Sequence, residues 1–132
     1  MFDIDTVTQR LKSFGYEVRA DSDSFALTFC IEKVRNTIRN ETNQKEVPGG
    51  LVHIAVDMAC GEFLLSKKTF APDDLKSLDL DIAVKQIQKG DTNTVFAVGE
   101  GSQTPEQRLD AFVNHLLTHG RSEFTRYRRL LW

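Results

Sequence analysis

The chain has 132 residues, 40% of them hydrophobic and 27% charged, with a formal net charge of −2. That length suits one domain rather than two independent cores, and nine Phe exclude a wholly disordered chain. Near-neutrality excludes both a polycation that grips nucleic acid along its whole length and an acidic DNA mimic. Cys30 and Cys60 are too few to staple a disulfide-dense secreted scaffold. The opening MFDIDTVTQR lacks the basic-then-apolar order of a secretory signal, and no unbroken apolar run of spanning length occurs. A soluble intracellular domain is the expectation.

Ile4, Val7, Leu11 and Phe14 mark one face of a first helix, with Asp3 or Asp5 able to cap its start and Gly15 placed to end it. Asp21, Ser22, Asp23 and Ser24 offer caps for a second helix. Its stripe is Leu27, Ile31, Val34 and Ile38, read as widened by Phe25, Phe29 and Cys30. The polar run 40–46 stops it. Pro48 suits the opening turn of a third helix that is apolar nearly all round, from Leu51 to Leu65, and so wants protein on every side. Gly61 inside it costs about 1 kcal/mol against alanine, which a close helix crossing would explain.

Over 66–80 the pattern dissolves and a loop is predicted. Ile82 to Gln88 alternates imperfectly and Thr94 to Val98 is β-prone, with turn formers between, so a short hairpin is predicted. Thr104-Pro105-Glu106-Gln107 has capping-box spacing with proline at the first helical position. Leu109, Phe112, Val113, Leu116 and Leu117 form the last long stripe, which ends near His119-Gly120. The predicted fold is mainly α: a small bundle of four to five helices, with one hairpin inserted before the last long helix.

Candidate chemistry is sparse. His53, Asp57 and Cys60 share a helix face at spacings of four and three, where a metal or nucleophile is conceivable. A zinc site needs about four ligands, and no second cluster supplies the rest. The competing reading is a hydrogen-bonded histidine beside a small buried thiol. His115 and His119 are also four apart, where a cationic imidazole complements the helix end. Ser22 and Ser24 have no histidine close in sequence, and the Gly99–Gly101 stretch lacks a phosphate-loop pattern. No catalytic residue, cofactor or metal ligand is assigned.

The end of the chain stands apart. Residues 121–132, RSEFTRYRRLLW, hold Arg121, Arg126, Arg128 and Arg129 against Glu123 alone, a charge of +3 on a remainder of −5. Phe124, Tyr127, Leu131 and the only tryptophan, Trp132, interleave with the arginines, and in a helix the first three share a face. Three readings stay open: the aromatics dock on the chain's own core, they form an interface hot spot, or the arginines meet nucleic acid.

Three stretches carry a family resemblance. VPGGLVHIAVDMACGEFLL (47–65) resembles the central helix of tailed-bacteriophage head–tail connector proteins, also called head completion or adaptor proteins. AVKQIQKGDTNTVFAVG (83–99) is similar to their short β element. FTRYRRLLW (124–132) is similar to the arginine-rich, aromatic terminus of connectors from phages and prophages of Gram-positive bacteria. The resemblance implies one domain over 1–132 that assembles into a ring, usually twelvefold, between the portal and a stopper or tail-completion protein, with DNA passing through. It implies a structural virion protein at the head–tail interface, present in the host cytoplasm during assembly. It also places Phe124, Arg126, Tyr127, Arg128, Arg129, Leu131 and Trp132 at the portal, and leaves Lys85 and Lys89 for the channel or a neighbour. The rivals are a small DNA-binding regulator using the terminal arginines, and a metal enzyme or hydrolase centred on His53, Asp57 and Cys60.

Overall fold

The computed structural model describes residues 2–71, 73, 75 and 105–128. Among these residues four α-helices carry the fold: α1 (Ile4–Ser13), α2 (Ala20–Thr42), α3 (Val52–Phe70) and α4 (Pro105–Thr118), followed by a short α5 (Phe124–Tyr127). Single 3-10 turns at Gly49–Leu51 and Arg121–Glu123 lead into α3 and α5. The protein is mainly helical, and no strand occurs among the described residues. The hairpin predicted within 82–98, with Lys85 and Lys89, lies outside them.

Local chemistry explains the helix ends. The Asp3 carboxylate accepts from the Thr6 backbone N–H at 2.9 Å and from its hydroxyl at 2.7 Å, capping α1. Gly15, at φ 92°, closes the helix while the Tyr16 N–H reaches back to the Leu11 carbonyl. The cap of α2 differs from expectation: Arg19 holds that position in extended backbone and makes no side-chain cap. Asp23 turns back instead, its Oδ2 accepting from the Arg19 N–H at 3.0 Å. At the other end Asn43, at φ 54°, terminates α2.

The α2 stripe Leu27, Ile31, Val34 and Ile38 is buried, and so is Cys30. Phe25 and Phe29 do not widen it: they are 82% and 64% exposed. At 100° per residue they lie roughly 180° round the helix from that stripe, so burying one set turns the other outward.

Helix α3 is the centre of the core and packs against α1, α2 and α4. Residues from Ile54 to Leu64 are buried except Asp57 and Glu62, which are half-buried. Gly61 marks the predicted crossing, because an added Cβ would lie 2.9 Å from Leu117 and 3.1 Å from Leu116 on α4. Edge-on aromatic pairs tie the outer helices inward: Phe14 with Phe112 at 4.9 Å and Tyr16 with Phe63 at 5.5 Å, each contributing about 1 kcal/mol beyond area burial.

The predicted loop over 66–80 is corrected at its start, since α3 continues to Phe70. Its last turns are held by polar contacts that no apolar stripe announces: Lys67 to Asp23, Lys68 to Asp110, and the Thr69 hydroxyl to the Leu65 carbonyl. That extension also changes the reading of hydropathy. The 22 residues Gly49–Phe70, which contain an 18-residue window of mean hydropathy 1.3, are long and apolar enough to cross a membrane by length and composition. With 61% of that apolar window buried inside the protein, the helix has the surroundings of a core element.

Candidate functional site

The terminal strip is rooted in the bundle. Helix α4 ends at Thr118, and Gly120 turns the chain where an added Cβ would press into the Ile54 side chain at 2.5 Å. Phe124 is 5% exposed and belongs to the chain's own core. Tyr127 is half-buried, with its hydroxyl against the α-carbon of Gly50, where a side chain would overlap the ring. Its carbonyl accepts from the Gln44 side-chain amide, tying α5 to the loop after α2. Of the residues assigned to a partner, Phe124 and most of Tyr127 therefore face inward.

Arg126 and Arg128 face solvent. Arg126 pairs loosely with Glu123 at 3.2 Å, and Arg121 donates to the Leu117 carbonyl at 3.3 Å. The exposed described surface of the strip is thus basic, while Phe124 and Tyr127 act as its roots. Arg129, Leu131 and Trp132 lie outside the described residues.

The His53–Asp57–Cys60 face does not form one site. His53 is exposed, whereas Cys60 is buried with its sulfur 3.9 Å from the Val7 carbonyl. Burial pushes the Cys60 thiol well above its usual range, and the Asp57 charge adds to that, so it is not a poised nucleophile. Burial, with Glu62 nearby, pushes Cys30 up to about 11. Among the described residues no three His, Cys, Asp or Glu side chains are grouped to hold a metal ion.

Asp57 instead joins three elements. Its Oδ1 lies 2.9 Å from Arg10 Nε on α1, and its Oδ2 lies 3.0 Å from His119 Nε2 just past α4. Burial would raise this carboxyl, but the His119 hydrogen bond and the Arg10 charge outweigh it and hold the group below the ordinary carboxylate range. His119 also stacks on His115, centroids 4.9 Å apart and planes 10° from parallel. The pair near the helix end therefore serves a contact with Asp57 that spacing did not suggest. The base of the terminal strip is clamped where α1 and α3 meet.

A second polar cluster sits near the other end of α3. Asp23, fully buried, receives the Tyr16 hydroxyl at 2.8 Å and faces Lys67 Nζ at 2.7 Å, an ion pair off the line of a straight hydrogen bond. Burial raises this carboxyl, but the Arg19 N–H, Lys67 and Tyr16 together hold it below its usual range. Arg10 and His119 at Asp57, and Lys67 at Asp23, are far from their partners in sequence, so no short motif carries a signal for these ion pairs.

Comparison with protein-family models, curated proteins and solved structures finds no match to this chain.

Proposed function

We propose that this protein is a structural assembly subunit: a head–tail connector of a tailed phage, forming a ring between the portal and a stopper or tail-completion protein. The observation that carries the reading is the strip itself. Phe124 is anchored in the bundle, while Arg126 and Arg128 are held outward on a body whose remaining residues sum to −5. Such a strip presents fixed positive charge to an acidic protein surface without paying to order a free tail. The order of its central helix and basic-aromatic terminus, which resembles that of connector proteins, supports the same assignment. A modest total charge suits a channel through which DNA slides, because many phosphate contacts would retain it.

The test separates the root from the exposed part. Deleting 128–132 leaves Phe124 and Tyr127 in place, so the shortened chain should keep its helical content and unfolding midpoint. It should lose attachment to portal-bearing capsids, scored by co-sedimentation. Retained attachment would overturn the proposal. Tight duplex-DNA binding by the intact chain, steeply salt-dependent and lost when Arg126, Arg128 and Arg129 are neutralised, would replace it with the regulator reading.

A further inference from the structure

The end of α2 nearest the terminal strip carries a polar pocket of about 400 Å³, lined by Asn36, Arg39, Asn40, Asn43, Gln44 and Lys45. Four side-chain amides and two cations surround it, with no acid among them. Spacing explains the grouping, because residues 36, 39, 40 and 43 fall within about 100° of one another round the helix, opposite the buried stripe. Gln44 and Lys45 follow the left-handed turn at Asn43 and complete the lining. The neighbouring acids Glu41 and Glu46 are exposed but do not line it.

The charge of this pocket is not neutralised within the bundle. Arg39 and Lys45 are exposed and form no ion pair among the described residues, whereas Arg10, Lys33, Arg35, Lys67 and Lys68 each meet an acid. The side chains of Asn36 and Asn40 likewise make no hydrogen bond among the described residues. The pocket also adjoins the strip. Gln44 belongs to its lining and donates to the Tyr127 carbonyl, and α5 packs against α2. Arg128, exposed and again without an ion pair among the described residues, directly follows Tyr127. Three cations therefore stand at the junction of α2 with the strip.

We infer that this pocket takes an acidic, extended segment of a partner protein, with Arg39 and Lys45 meeting its carboxylates and the amides pairing with its peptide groups. Each Asn or Gln amide both donates and accepts, and a peptide group answers both, whereas a phosphate only accepts. The helix end adds to this preference. A helix leaves its last carbonyls without intrahelical partners, and here the N–H groups of Asn43 and Gln44 both go to the one carbonyl of Arg39. Carbonyls left as acceptors suit the N–H groups of a polypeptide and repel phosphate oxygens. The cations then favour encounter with an acidic chain, and the amides fix its register. The inference deepens the proposed function by naming the chemistry of the partner, and rests on that reading only for which protein supplies the segment.

The experiment uses the intact chain labelled with nitrogen-15, titrated at low salt and followed by NMR. The probes are a peptide of about ten residues alternating glutamate and glycine, its glutamine counterpart, and a DNA duplex of about ten base pairs. The acidic peptide should shift the side-chain amide signals of Asn36, Asn40 and Gln44 to saturation. The glutamine peptide and the duplex should each bind about tenfold more weakly. Arg39→Gln/Lys45→Gln, changed only at exposed positions, should weaken the acidic peptide about tenfold with an unchanged circular dichroism spectrum. Asn40→Ala keeps the charge and should weaken it about threefold. Lys12→Gln removes an exposed cation from α1, toward the end of the bundle where Tyr16 meets Asp23, and should change the affinity by less than about twofold.

Shifts confined to residues outside the pocket overturn the inference. So does an equal loss in Lys12→Gln, which would mean attraction to net charge alone. A duplex that binds as tightly as the peptide also overturns it, in favour of a nucleic-acid contact. The Arg39→Gln/Lys45→Gln chain should in addition fail to attach to portal-bearing capsids. If it attaches normally while deletion of 128–132 abolishes attachment, the connector reading stands and the inference falls. If neither change affects attachment and the acidic peptide still fills the pocket, the connector reading falls and the peptide site stands.

Discussion

Asp23 and Asp57 anchor opposite ends of α3, yet they are built differently. Asp23 is fully buried and held by the Arg19 N–H, the Tyr16 hydroxyl and Lys67. Asp57 keeps a 13% exposed side chain and is held by Arg10, itself 31% exposed, and by His119. The first joins α2 to the end of α3 far from the terminal strip. The second clamps the turn from which the strip emerges. A charge sealed from water makes its partners obligatory, whereas a charge at the rim is replaceable by solvent. The stability of the bundle and the placing of its functional strip therefore rest on different carboxylates.

The sharpest way to break this contrast is at Asp23. Asp23→Ala strands Lys67 and removes the acceptor of the Tyr16 hydroxyl, and should cost about 3 kcal/mol in urea unfolding. A loss below 1 kcal/mol would mean that the cluster is no anchor. Tyr16→Phe comes next, at about 1 kcal/mol near neutral pH. Burial and the neighbouring Asp23 push the Tyr16 phenol up to about 12. The folded state thus holds that proton more tightly than the unfolded chain, whose tyrosines titrate near 10. The corresponding stabilisation is whole below about pH 10 and is lost as pH climbs toward about 12. The alkaline fall in unfolding free energy should accordingly flatten in Tyr16→Phe.

Asp57→Asn should cost least, about 0.5 kcal/mol, because its partners are partly solvated. Its distinctive effect is local, with faster amide exchange over 119–128 and unchanged exchange in α2. Asp57 also contributes to the acid limb. A carboxyl depressed in the folded state gives stability that is present above its unfolded pKa near 3.9 and is lost as pH falls through the lower folded value. The variant should lose that share of the fall below about pH 4, measured by thermal melts across acid buffers.

Much of the fold was legible because it depends on local rules. The Asp3 cap, the Gly15 stop, the stripes of α2 and α4 and the crossing at Gly61 all follow from spacing and propensity. The last turns of α3 were not legible, because ion pairs to Asp23 and Asp110 replace the apolar pattern there. Phe25 and Phe29 were misread through residue type: aromatic character suggested burial, although their positions on the wheel lie opposite the stripe. At the candidate site, spacing placed Phe124 and Tyr127 on one face and composition exposed the basic strip. Periodicity could not say what covers that face, and for Phe124 it is the chain's own core. The clamp at Asp57 joins residues 47 and 62 positions apart, a separation at which no pattern in a single sequence carries information.

Gly50 and Tyr127 occupy one space between them, since the tyrosine ring fills the volume that a side chain at residue 50 would need. The aim of the strip is therefore set partly from the loop before α3, by a residue with no side chain of its own. In any lineage of such chains these two positions cannot drift independently. Growth at residue 50 has to be matched by shrinkage at residue 127, or the strip swings away from the bundle with every arginine in it intact.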